Sequence, residues 1–193
     1  MSDTANVIAG SATLYLAPSG TALPVLTGLP VTWPAAWVSP GYTDAGIDFV
    51  YTPTFKDIMV DEEMGPVQKI LVSEKLEINL VMAESTLNNL LKAIAGSSLV
   101  EGASVSTLYL GSASSTQEWV LGVQGPAPGA EATAGTLGRV IICYRVKASA
   151  AVTAKMQRKD KVVFNVKFEA LVDSTKSAGQ RLCEIIDFNP AGS

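Results

Sequence analysis

The sequence predicts a mainly β protein, a β-sandwich with one flanking α-helix. Two stretches, residues 47–82 and 139–170, alternate apolar and polar side chains over lengths that suit long hairpins, and such alternation is typical of strands with one buried face. Residues 85–96 instead repeat apolar side chains at helical spacing. A chain of 193 residues can bury a substantial core, so we expect one domain over residues 1–193.

The composition argues against most enzyme chemistry. Histidine is absent, which removes the commonest general base and metal ligand. The net charge of −4 gives no electrostatic reason to hold a polyanion tightly. No uninterrupted apolar run reaches the roughly 18 residues that a membrane helix requires, and no basic segment of a secretory signal opens the chain. We therefore expect no enzymatic activity, no cofactor, no metal, no membrane partner, and synthesis in the cytoplasm.

The first element is a short strand at residues 10–17, and a long arm follows it. Residues 18–46 contain five prolines and four glycines, which would interrupt any regular element repeatedly. The arm is nevertheless too apolar for a solvated linker, and we expect it to pack on another surface. Trp33 and Trp37 are its candidate anchors, because aromatic side chains in such segments commonly fill packing or interface positions.

The first long hairpin occupies residues 47–82. Its apolar side chains, from Ile47 to Met59 and from Ile70 to Met82, share one face on each strand, and the acidic turn 61–66 joins the two strands. Glu74 is the one clear exception to the alternation. Pro53 indicates a sheet edge or a bulge, since proline cannot donate a ladder hydrogen bond.

The helix follows directly. Leu87, Leu90, Leu91 and Ile94 form one apolar stripe. Ser85 or Thr86 can cap its first turn, and Gly96 can adopt the left-handed conformation that ends a helix.

The remaining elements are strands. Two short ones are predicted at 108–110 and 119–123, and residues 125–138 are mobile by composition. A second long hairpin is predicted from the alternation at 140–146 and 162–170, and the last strand at 182–188.

Charge is divided between the two hairpins. Residues 44–63 carry six acids and one base, whereas residues 139–167 carry eight bases and one acid. The two faces are either separately solvated or complementary, in which case the basic surface of one copy contacts the acidic surface of the next.

The stretch GIDFVYTPTFKDIMVDEEMGPVQKILVSEKLEINLVMAESTLNNLLKAI, followed late in the chain by FNVKFEALVD, resembles the central block and final long strand of phage major tail proteins. The resemblance covers roughly residues 40–96 and 139–188. It implies a structural subunit of the virion tail, assembled in the host cytoplasm. Six-fold rings of this β-sandwich would stack into a tube lined by a continuous β-barrel, through which double-stranded DNA passes without tight binding. Tape measure and tail terminator proteins are the further partners implied, and the arm becomes a candidate for contacts between rings.

On this interpretation the polar residues of the hairpins face the channel, whereas on the alternative they form a solvated sheet face. The candidate lumen residues are Asp48, Thr52, Thr54, Lys56, Lys75, Glu77, Asn79, Arg145, Lys147, Asn165, Lys167 and Glu169. Salt bridges between copies are expected to pair several of the bases. The candidate inter-subunit residues are Trp33, Trp37, Asp57, Asp61, Glu62, Glu63, Lys155, Arg158, Lys159 and Lys161.

Two other functions remain open. Trp33, Trp37 and Tyr42 could form a stacking platform for sugars, which would make the chain a carbohydrate-binding or adhesin-type module. A type VI secretion-like tube subunit would share the tube architecture. The acidic turn lacks the ligand spacing of a calcium loop.

Overall fold

The computed structural model describes residues 10–111, 116–127, 138–153 and 161–188, and its elements confirm the mainly β prediction. In chain order they are β1 (Thr13–Pro18), β2 (Thr43–Ile58), β3 (Gln68–Met82), α1 (Leu87–Ala93), β4 (Ser97–Val100), β5 (Thr107–Leu110), β6 (Trp119–Gly125), β7 (Gly138–Ala148), β8 (Phe164–Ala170) and β9 (Cys183–Phe188). Within these ranges no helix is long and apolar enough to span a membrane.

Antiparallel pairing joins most strands into one sheet of order β1-β6-β7-β8-β3-β2. The sheet forks at β7, because residues 138–143 pair with β9 and residues 146–148 pair with β8. The two ends of the sheet then share a single core, in which Leu14, Ile78, Leu121 and Phe168 are fully buried. Packing between the two halves of a folded sheet gives the sandwich that the alternation predicted.

The arm, residues 19–42, covers the outer face of β1, β6 and β7. Val31 and Trp37 of the arm form a second apolar cluster with Ala17, Val120 and Ile142 of the sheet. The prediction that the arm packs on another surface is confirmed, and that surface belongs to its own chain.

The helix is capped as predicted. The Thr86 hydroxyl accepts a hydrogen bond from the Asn89 backbone N–H at 3.2 Å, and Gly96 adopts a φ of 77° after the last turn. Leu90 and Ala93 pack against the main core, so the helix closes one side of the sandwich. The short strand β4, which the sequence did not predict, pairs with β5 in a separate two-stranded sheet.

Two sequence predictions about the hairpins require correction. The second hairpin is not long: β7 and β8 share only the pairs from Val146↔Ala170 to Ala148↔Phe168, because β6 and β9 occupy most of β7 instead. In the first hairpin the uninterrupted alternation is wrong, because the register shifts between Thr54 and Phe55, next to Pro53, where a sheet edge or a bulge was predicted. Most of the stretch 125–138, which the sequence predicts to be mobile, lies outside the described residues, because residues 128–137 are not described.

Candidate assembly surfaces

The outer half of the first hairpin, residues 50–58 and 68–75, is here called the distal hairpin. Only β2 pairs with this part of β3 in the described sheet, since β8 reaches no further than Glu77. Exposed apolar side chains nevertheless follow both strands. They are Val50 (41% exposed), Tyr51 (53%), Phe55 (53%), Ile70 (47%), Leu71 (47%) and Val72 (62%).

A bulge distributes these side chains over both faces of the distal hairpin. Phe55 lies opposite Leu71, and the next pair is Lys56 with Ile70, whereas Val72 has no partner in the register. Directly opposite residues share a face of the sheet, so Ile70 lies on the same face as Lys56 and not, as the simple alternation predicts, on that of Phe55. An extra residue in one strand reverses the parity of everything beyond it.

The acidic inter-subunit candidates lie at the end of β2 and in the turn that follows it. Asp57, Asp61, Glu62 and Glu63 are all exposed, and Asp57 lies 3.5 Å from the ammonium of Lys69. Their side chains are accessible to a neighbouring molecule. Their role in a contact stays a prediction.

The polar residues of β2, β3 and β8 form a continuous surface, the polar face. The register places Asp48 opposite Asn79 and Asn79 opposite Lys167. A second row joins Glu77, Glu169 and Lys147 through β3, β8 and β7. The structure therefore brings together most of the residues that the sequence grouped as lumen candidates, although whether this surface lines a lumen stays a prediction. Asn165 lies opposite Val81, Thr52 opposite Lys75, and Thr54 opposite Ser73.

Charges on the polar face pair within one chain. Glu77 accepts contacts from Lys75 at 2.6 Å and Lys167 at 2.7 Å, and Lys75 also lies 3.5 Å from Glu169. The hydrogen bond from Lys167, followed by that from Lys75, lowers the pKa of Glu77 below its ordinary value. These two bases thus have partners within the chain, on β3 itself or on the adjacent strand β8, and the pairing of bases between copies stays a prediction.

Arg145 lies apart from this network. Its guanidinium contacts the Glu118 carboxylate at 2.8 Å and donates to the Val172 carbonyl at 3.0 Å; Glu118 precedes β6 and Val172 follows β8. Sequence alternation grouped Arg145 with Lys147, but the side chain of Arg145 contacts residues outside the Lys75–Glu77–Lys167 network.

The basic inter-subunit candidates are only partly described. Lys155, Arg158 and Lys159 lie outside the described residues. Lys161 forms an ion pair with Asp44 at the base of the first hairpin. The complementary charge of the two hairpins is therefore satisfied at this position within the chain.

A comparison with protein families identifies the family to which this chain belongs. The model of a family described as phage tail tube protein matches residues 1–186. The chain belongs to the phage tail tube protein family. A search of curated proteins gave no match.

In this tail tube protein the two arm tryptophans face inward. Trp33 stacks on Tyr15 with ring centroids 4.2 Å apart and donates its indole N–H to Gln124 at 2.9 Å. Trp37 is 5% exposed and donates to the Ala22 carbonyl at 3.0 Å. Their ring faces are occupied by their own chain, which argues against the sugar-stacking platform with Tyr42. A contact between subunits through these indoles stays a prediction.

The sequence pattern did not predict the apolar surface of the distal hairpin. Alternation alone implies that every second residue is buried along the whole length of each strand. The available signal was the run Ile70–Val72, three consecutive apolar residues where an alternating strand allows one or two. Such a run indicates either a bulge or a ribbon with two apolar faces. In this tail tube protein both occur together.

Proposed function

We propose that this tail tube subunit assembles into six-fold rings, which stack into a tube that conducts DNA out of the virion. Family membership supports the role of structural subunit, and the observation that carries the assembly is the distal hairpin. A two-stranded ribbon alone in water is marginally stable. This one extends past β8 and exposes apolar side chains on both faces, so contact with a second copy would remove them from water.

The open backbone edge of β2 offers a second surface for contact with a neighbouring copy. Among the described strands β2 pairs with β3 alone, and it leaves one row of backbone groups along 16 residues without a strand partner. An open edge of this length is a template for pairing with another strand. Addition of a neighbouring subunit at this edge would continue the sheet around a ring, and closure would leave no exposed edge.

The polar face would then line the channel. It carries both signs of charge: the acids are Asp48, Glu77 and Glu169, and the bases are Lys56, Lys75, Lys147 and Lys167. Neutralising phosphates with lysine releases counterions and strengthens binding of a duplex. Because Lys75 and Lys167 are held by Glu77, this face would let DNA slide without retaining it.

Further partners follow from the place of such a tube in a virion. The tube would enclose a tape measure protein and end at a tail terminator, and it would assemble in the host cytoplasm. The arm is the proposed contact between rings. Its outward apolar side chains Val25 (72% exposed) and Tyr42 (80%) are available for that role.

Electron microscopy of the concentrated full chain tests the assembly. We expect rings and tubes from the unaltered protein. The double substitution Phe55→Ser and Leu71→Ser removes an apolar pair from one face of the distal hairpin and is expected to leave a folded monomer by circular dichroism and light scattering. Val105→Ser, which changes an apolar side chain outside the hairpin that is even more exposed (72%), serves as the control and is expected to form tubes.

Two results would contradict the proposal. The first is an unaltered protein that stays monomeric at every concentration, as a binding module would. The second is a double variant that forms tubes as well as the control does.

A further inference from the structure

The two cysteines of the chain face each other across neighbouring strands. Cys143 of β7 lies directly opposite Cys183 of β9 in the antiparallel register. The next residue, Tyr144, donates its backbone N–H to the Leu182 carbonyl at 3.3 Å, so the cysteines occupy a non-hydrogen-bonded pair of the ladder. Facing Cα atoms at such a position are about 4.5 Å apart, which lies within the span of a disulfide.

The two thiols are free and differ in accessibility. Cys143 is fully buried, and Cys183 is half-buried against the same core. A hydrogen bond from the Cys143 thiol lowers the pKa of Cys183 to about 7, although burial, Glu184 and Glu74 oppose that change. The same hydrogen bond, together with burial, raises the pKa of Cys143. Cys183 is thus the accessible member of the pair and the one that forms the nucleophilic thiolate.

We propose that Cys143 and Cys183 are a modification site, a dithiol that closes to an intramolecular disulfide on reaction with a small-molecule disulfide such as oxidised glutathione. The Cys183 thiolate attacks one sulfur of that reagent, breaks its S–S bond and releases one small thiolate. Cys143 then loses its proton, and its sulfur attacks Sγ of Cys183, releasing the second small thiolate. Two protein thiols are oxidised, and one small disulfide is reduced to two thiols.

The disulfide would link β9, the last described strand, to β7 in the middle of the sheet. In that sheet β9 pairs with β7 alone, and its side chain Ile185 is 61% exposed. Fraying of β9 would separate Cys183 from Cys143, whereas a disulfide holds both strands in register. This site depends on the fold of one subunit and is independent of ring formation.

The test incubates the native full chain with oxidised glutathione, followed by thiol titration and intact-mass measurement. Both cysteine thiols are expected to disappear, the mass to fall by two hydrogen atoms, and the chain to run as a monomer on a non-reducing gel. The melting temperature is expected to rise by roughly 5–10 °C, because the cross-link restricts the unfolded chain. Dithiothreitol should reverse each change.

Cys183→Ser is the control and should keep one unreactive thiol and an unchanged melting temperature on oxidation. Any one of three results with the unaltered chain would overturn the proposal, whatever the variant does. They are retention of both thiols, a stable glutathione adduct that does not close, and a disulfide-linked dimer.

Discussion

The ammonium of Lys167 lies 2.7 Å from the carboxylate of Glu77 on the adjacent strand. Glu77 stands directly opposite Glu169, a like-charged pair that would destabilise the sheet if it were alone. Lys167 and Lys75 offset this repulsion. The polar face therefore contains a network in which Lys75 and Lys167 have carboxylate partners before any second copy arrives.

Acid is expected to weaken the fold partly through Glu77. The contacts from Lys167 and Lys75 lower its pKa below the ordinary 4.5, so its stabilising contribution is present above that value and is lost as the pH falls through the lower native pKa. The melting temperature should therefore decline below about pH 4.5, and less steeply in Glu77→Gln. Asp173 and Asp187, whose pKa values are also lowered, make the same contribution to acid sensitivity in the unaltered protein and in the variant. If the melting temperatures of the unaltered protein and of Glu77→Gln fell equally with pH, Glu77 would not have this role.

Gly122→Ala is expected to disturb the contact between the arm and the sheet. A Cβ at this position would lie 2.5 Å from the Trp33 ring, and such overpacking costs about 1–3 kcal/mol. Gly28→Ala is the matched control, because a Cβ there meets nothing within 4 Å. Urea unfolding measures both free energies. Equal stability of the two variants would show that the arm adjusts without loss.

Trp37→Ala should destabilise the protein by about 3–5 kcal/mol, since it removes a large aromatic side chain from a packed cluster. The indole is 5% exposed and hydrogen-bonded to Ala22. In contrast, Val25→Ala alters a residue that is 72% exposed and should change stability by less than about 0.5 kcal/mol. A small loss in Trp37→Ala, combined with loss of tube formation, would instead assign the indole to contacts between subunits.

Lys161 permits folding and assembly to be separated. Lys161→Glu places a second carboxylate beside Asp44 and should lower both the melting temperature and the tube yield. Adding Asp44→Lys restores an opposite-charge pair but presents it with reversed polarity to a neighbour. We expect the double variant to recover its melting temperature and not its tube yield. Recovery of both would show that Lys161 acts only within its own chain.

Several elements could be predicted from local sequence because their cause is local. The alternation around Ile78 and Leu80 predicted a strand with one buried face, and both residues are buried. The cap at Thr86 depends on a residue three positions away. The Pro/Gly content of the arm excluded regular structure, and its apolar content predicted packing.

Other features depend on strand pairing between distant parts of the chain. Nothing near Arg145 in sequence indicates that β7 changes neighbours from β9 to β8 just beyond Cys143. Likewise, alternation places Ile70 and Leu76 on one apolar face, yet Leu76 is 4% exposed and Ile70 is 47% exposed. β8 ends before it reaches Ile70, so among the described strands only β2 lies beside that residue.

The sequence by itself determined the β class, the capped helix, the packed arm and the tail tube family. Only the tertiary structure decided which apolar residues remain exposed on the distal hairpin, that Lys167 pairs with Glu77 within one chain, and that Cys143 meets Cys183. Side-chain periodicity reports the local backbone conformation. Burial and charge pairing depend on which strands become neighbours, and that choice is made by contacts over long sequence separations.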